Sequence, residues 1–329
     1  MRIRFGRRAV LFSLISVLFS VLFITIFSQQ FTSTYEDRIP GSNIRIKVMD
    51  VYTRNFETYI DDSVKVSAYR ALGGITENLL SGGFSDRAGF ERAFSGCMEC
   101  DHTNCSNQNV SNLCGLGGYS LKARLDNITD LSSQQLNINT TYNINSISID
   151  QEYPFEVQVT VNISYNVTDN SGKDYYARWS KNKVIVSDIS IIGLYEPLGY
   201  YPAGFRQDIT RYAGSCDGNE SCWNINTVND FYSQDDFRYY KGAPSYLQRF
   251  WDDLTPSDCC GIETILHPSA YVNDTSKSFI EHQYWSGTVS CAKGDKMVNL
   301  TLGAESISLD EATASRYGVS NSSIEYNCP

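Results

Sequence analysis

The residue pattern predicts an α+β protein with an N-terminal transmembrane helix, a long amphipathic helix packed on an antiparallel sheet, and an irregular, disulfide-rich C-terminal region. Three observations carry that expectation. Residues 9–28 hold no charged side chain, residues 43–80 repeat apolar side chains every three or four positions, and residues 155–168 alternate strictly between apolar and polar. The chain then divides into a basic tail (1–8), the span (9–28), a juxtamembrane segment (29–42), a helix-plus-sheet part (43–193) and an aromatic part (194–329).

A helix over residues 9–28 would be about 30 Å long, the thickness of a bilayer's hydrocarbon core. Arg2, Arg4, Arg7 and Arg8 precede it, which places the tail on the cytoplasmic side and the rest of the chain outside. The rival is a cleaved signal peptide, with an apolar region of about 7 to 15 residues and a small-x-small cleavage site. The longer run leading into Gln29, Gln30 and Phe31 favours an uncleaved signal-anchor. Ala9, Ser13, Ser16 and Ser20 form a small-residue stripe for helix–helix packing in lipid, or else the serines bond to their own turn.

From residue 43 the stripe Met49, Tyr52, Phe56, Ile60, Val64, Ala68, Ala71 and Ile75 predicts a helix, with Asp61 and Lys65 paired on its far side. Pro40-Gly41 should break or bend the chain before it, and Gly73-Gly74 argues against an unbroken rod. Shorter helices are expected over residues 85–94 and 120–133. In 155–168, Val157, Val159, Val161, Ile163, Tyr165 and Val167 face one way, while Asn162 and Asn166 lie on the polar side. The preceding run (136–149) alternates but shifts register after Ile144, as a bulge would cause, and residues 175–186 supply a third strand of a meander. Residues 194–329 are rich in Tyr, Phe and Trp, read as packing or as a sugar- or subunit-contact surface, with helical or mixed stretches at 244–253, 261–266 and 308–317.

The chain has 42% hydrophobic residues, enough for a sizeable core, and a formal charge of −10, which argues against nucleic acid. Ten cysteines, Cys97, Cys100, Cys105, Cys114, Cys216, Cys222, Cys259, Cys260, Cys291 and Cys328, all follow the span and read as disulfides. Cys216 and Cys222 flank a short turn suited to local closure, and the neighbours Cys259 and Cys260 are expected to reach different partners. N-glycan acceptors occur at Asn104, Asn109, Asn127, Asn139, Asn162, Asn166, Asn219, Asn273, Asn299 and Asn321.

The order of parts, with residues 51–74, 242–265 and 309–319, resembles type IV pilins and, more specifically, uncharacterised single-pass pilin-like proteins of archaea. The resemblance implies architecture and no reaction. In pilins a peptidase cuts after a glycine ahead of the span and a glutamate follows at the fifth position; here Gly6 is present but Leu11 stands where the glutamate would be.

Cys97-x2-Cys100-x-His102-x2-Cys105 has zinc-ligand types at tight spacing but lacks a second knuckle, and disulfides are the favoured reading. No nucleophile elbow, P-loop, Rossmann fingerprint, H-E-x-x-H or calcium loop is present, and Asp235-Asp236 and Asp252-Asp253 read as solvated faces rather than glycosidase carboxylates. The expectation is a non-enzymatic, membrane-anchored extracellular structural protein at the cell surface, a pilin-like subunit or stalk acting by self-association. The alternative is an adhesin-like ectodomain for surface polysaccharide or protein. Expected partners are the membrane, copies of itself or related subunits, and surface polysaccharide; no cofactor, metal or catalytic residue is assigned.

Overall fold

The computed structural model describes residues 40–78, 83–100, 114, 119–170, 177–198, 207–213, 224–267, 276–286, 296–303, 305–319 and 324–327. The chain divides into two compact units, Met1–Val51 and Tyr52–Pro329. Of the first, the described part is the opening of a helix, α1 (Pro40–Asn78), where Ile44, Ile46 and Val51 are exposed. Pro40 starts that helix rather than breaking it, since at the first helical position its missing N–H would have had no partner anyway.

The second unit is α+β. From Tyr52 onward α1 buries Phe56, Ile60, Val64, Ala68, Leu72 and Ile75, and it runs through Gly73-Gly74 without interruption. The reason lies at Gly74: a Cβ there would stand 2.2 Å from the Cys114 carbonyl oxygen, so the bare helix surface is where that carbonyl seats. Helix α2 (Arg87–Glu99) begins at Asp86, whose carboxylate accepts from the Gly89 N–H at 2.6 Å. Helix α3 (Leu121–Leu136) begins at Ser120 and ends on Asn137 in the left-handed region.

Strands β1 (Ile138–Tyr153), β2 (Glu156–Asp169) and β3 (Arg178–Ser190) form an antiparallel sheet in the order β1-β2-β3. The β1–β2 register slips between Ile144 and Ser146, at the place where the alternation breaks in the sequence. On the inward face Val157, Val159, Val161, Ile163, Tyr165 and Val167 are buried. Phe56 meets Tyr165 edge-on at 5.4 Å, Tyr165 donates to Glu57, and Ser187 donates to Asp61 at 2.5 Å, so α1 lies on this face. Helix α3 lies there too, since Tyr142 donates to Asp126 at 2.5 Å and Tyr52 to Ser132 at 3.0 Å.

Beyond β3 the elements are short: α4 (Ile225–Gln234), β4 (Arg238–Tyr239), a 3-10 turn (Gln248–Trp251), β5 (Ile262–Glu263), α5 (Glu281–Ser286), β6 (Lys296–Leu302), β7 (Glu305–Asp310), α6 (Glu311–Arg316) and β8 (Ile324–Asn327). β4 pairs with β5, and β6 sits between β7 and β8. A second core forms here around Phe231, Leu266, Phe279, Leu300, Ile307 and Tyr317. It joins the first where Phe250 stacks on Phe90 at 4.6 Å and where the Leu247 N–H donates to the Gln151 side chain at 3.1 Å.

Two expectations are corrected. Among the described residues no helix is long and apolar enough to cross a membrane, and the expected transmembrane helix, single-pass membrane localisation and signal-anchor are withdrawn. Residues 9–28, with Ala9, Ser13, Ser16 and Ser20, lie outside the described residues. Among the described residues the expected disulfide-rich C-terminal region shows a single bond: the described bonds are Cys97–Cys114 and Cys259–Cys260, and only the second lies there. The stretch 308–317, expected to be helical or mixed, is mixed, because Asp310 both ends β7 and caps α6, accepting from the Thr313 N–H at 2.9 Å.

Candidate functional site

Among the described residues, an accessible feature is the outward face of the three-stranded sheet together with the outer side of β3. Alternation puts Thr141, Asn143, Ser146 and Ser148 of β1, Thr160, Asn162, Ser164 and Asn166 of β2, and Ser180 and Asn182 of β3 on this face. Two residues break the polar pattern: Val184 and Val186 on β3 are 61% and 52% exposed. β3 keeps an unbroken register with β2 from Arg178 to Ser190, whereas β1 carries two register shifts. Among the described residues no strand pairs with the other side of β3. Such an edge offers a row of backbone donors and acceptors to another chain.

The inward side of β3 restrains that edge. Lys181 and Lys183 turn in and pair with Glu57 at 2.8 and 2.9 Å. Partial burial works to raise the Glu57 carboxyl, but Lys181, Tyr165 and Lys183 outweigh it and hold it at about 2. β3 is therefore pinned from within and regular from without.

The strongest electrostatics lie elsewhere, inside the C-terminal core. Arg238 gives Nε and Nη2 to Glu263 at 2.8 and 2.5 Å, its guanidinium lies 4.8 Å over the Tyr317 ring, and Tyr317 donates to the same carboxylate at 2.9 Å. His282 Nδ1 is 3.1 Å from the other Glu263 oxygen. Arg249 bridges two carboxylates, Glu196 at 3.1 Å and Glu281, and donates to the Ile262 carbonyl. Full burial works to raise Glu263, yet Arg238 and His282 hold it at about 2. Burial pushes Glu281 up to about 8 despite Arg249, with the negative Glu196 adding to the rise. One ionised and one protonated carboxyl is what acid–base chemistry requires. Both are buried, however, at 0% and 1% exposure.

The residues singled out from sequence scatter. Cys97 bonds to Cys114, and Cys100 sits at the end of α2. Cys259 and Cys260 bond to each other rather than to separate partners, in a tight turn where their sulfurs lie 3.5 and 3.1 Å from the Gln151 carbonyl oxygen. Cys105, Cys216, Cys222, Cys291 and Cys328 lie outside the described residues, as does His102. Among the described residues no group of three His, Cys, Asp or Glu is placed to hold a metal. Of the glycan acceptors, the register brings Asn139, Asn162 and Asn166 together on the outward sheet face. Asn127 is exposed on α3, whereas Asn299 is half-buried and accepts from Ser308 at 2.9 Å. Asn104, Asn109, Asn219, Asn273 and Asn321 lie outside the described residues. Sequence reading missed Arg238, Glu263, Arg249 and Glu281; the signal was charge embedded in aromatic runs such as Leu247-Gln248-Arg249-Phe250-Trp251.

Comparison with protein-family models, with curated proteins and with solved structures finds no match to this chain. Its function is argued from its own residues.

Proposed function

We propose that the chain is a structural subunit that works by associating with copies of itself, and that it is not an enzyme. The observation that carries this reading is the regular β3 edge with Val184 and Val186 exposed beside it. A second copy laid along β3 would complete the backbone ladder and cover both valines, which is the way sheet edges recruit partners. Two register shifts on β1 discourage pairing on the other side of the sheet, which gives the association a direction.

Burying each valine contributes on the order of 1 kcal/mol, so replacing both with lysine costs about 2 kcal/mol, roughly thirtyfold in association. Analytical ultracentrifugation of the full chain should show oligomers that grow with concentration, and Val184→Lys with Val186→Lys should shift that growth to at least tenfold higher concentration. A wild-type chain that stays monomeric at hundreds of micromolar, or oligomers that ignore the double change, would sink the reading.

A further inference from the structure

A separate feature lies where the second half of α1 meets the chain leaving β3. A cleft of about 220 Å3 opens there, with Tyr69, Arg70, Gly73 and Glu77 on one wall and Tyr195 on the other. At a liquid share of ~30 Å3 per water it has room for about seven waters, the size of one small ring rather than a drug-sized molecule.

Its construction is specific. Arg70 and Glu77 stand seven residues apart on one stripe of the helix, about 10 Å along the axis, with the side-chain-free Gly73 between them. The Arg70 guanidinium lies 5.2 Å over the Tyr119 ring, which fixes its plane. Tyr69 donates to the Ile192 carbonyl at 3.4 Å, which fixes that wall. Gly193 has φ +84°, a conformation side-chain-bearing residues rarely adopt, and a Cβ there would come 3.1 Å from the Tyr69 hydroxyl.

The chemistry selects a ligand class. One cation and one anion at opposite ends leave no net charge to hold a simple ion, and Leu194 is the lone aliphatic side chain of the lining, too little for an apolar guest. A guanidinium presents paired donors and a carboxylate paired acceptors, each matched to two neighbouring hydroxyls. The tyrosine rings offer apolar bodies with polar tips to the C–H faces of a sugar. We propose that this cleft binds a neutral pyranose unit between Tyr69 and Tyr195, with its hydroxyls shared by Arg70 and Glu77. The site stands apart from the β3 edge and holds whether or not the chain associates with itself.

The experiment is saturation-transfer NMR on the full chain with the methyl pyranosides of glucose, galactose, mannose and N-acetylglucosamine. At least one should bind with a millimolar Kd. Tyr195→Ala and the exposed pair Arg70→Ala with Glu77→Ala should each weaken it at least tenfold, while Val184→Lys should leave it unchanged. Gly73→Leu should abolish binding by filling the cleft; a Cβ at that position is 3.6 Å from Leu194, an ordinary contact, so the helix tolerates it. If Gly73→Leu fails to fold, the two exposed changes decide. Absence of transfer from all four sugars at tens of millimolar overturns the proposal, as does binding that survives these variants. Stronger binding of acetate or methylguanidinium than of any pyranoside would make the cleft an ion site and overturn it equally.

Discussion

Gly73 and Gly74 are neighbours in one helix, yet replacing each with alanine should move stability in opposite directions. In a helix interior glycine costs about 1 kcal/mol relative to alanine, so both changes begin with the same gain. At Gly73 the new methyl would touch Leu194 at 3.6 Å, and the gain of ~1 kcal/mol survives. At Gly74 it would stand 2.2 Å from the Cys114 carbonyl oxygen and 2.9 Å from its carbon, atoms of backbone held in place by the Cys97–Cys114 bond. Overpacking of this kind costs about 1–3 kcal/mol or more, which cancels or reverses the gain. The two variants should therefore differ by roughly 1–3 kcal/mol, read as midpoint shifts at constant slope in urea denaturation. Opening the Cys97–Cys114 bond by replacing both with serine should shrink the Gly74→Ala penalty by at least half, a coupling that a double-mutant cycle isolates. If Gly74→Ala stabilises as much as Gly73→Ala in the oxidised protein, Cys114 does not rest on α1 and the packing argument fails.

Other outcomes follow from the buried charges and the crosslink. Arg249→Met leaves Glu196 and Glu281 without their shared cation and should cost about 3–5 kcal/mol, while adding Glu281→Gln should recover part of the loss; thermal and urea unfolding of the single and double variants check this. Glu281 is raised above its ordinary 4.5 to about 8, so its contribution is fully present below pH 4.5 and is lost as pH rises through 8; Glu281→Gln should flatten the alkaline limb of a stability–pH profile. Glu263 is held at about 2, so its contribution is present above pH 4.5 and is lost as pH falls toward 2, and Glu263→Gln should flatten the acid limb of the same profile. Removing the Cys97–Cys114 bond, whose sequence separation is 17, should by itself cost about 3 kcal/mol through loop closure, measured by denaturation with and without the two cysteines.

The helix-and-sheet part was legible because each element there buries one side. β2 alternates in sequence as it does in burial, and the slip after Ile144 marks the register shift between Ile144 and Ser146. α1 was legible for the same reason, but Gly73-Gly74 misled, since local propensity says nothing of a carbonyl arriving from Cys114, forty residues on. Past β3 the reading weakened. β4 and β5 are two residues each, too short for any period, and the core there is built partly on Arg238 with Glu263 and Arg249 with Glu281, which hydropathy scores as surface. The cleft was invisible in sequence because Arg70 and Tyr195 come together only through the fold. Strain between neighbours predicts different partners for Cys259 and Cys260, whereas a tight turn joins them to each other.

The seam between the sheet and the aromatic part has a practical meaning. Ile191 bonds back to Phe155 at 3.0 Å, Gly193 and Leu194 exchange bonds with Ile209 at 2.8 Å each, and Phe84 bonds to Phe250 at 2.8 Å. A chain cut after residue 193 would lose the Gly193–Ile209 and Phe84–Phe250 bonds and bare the Phe90 face to water. The two halves should thus be made, purified and degraded as one object, and limited proteolysis should yield nicked but undivided protein rather than a trimmed, soluble sheet.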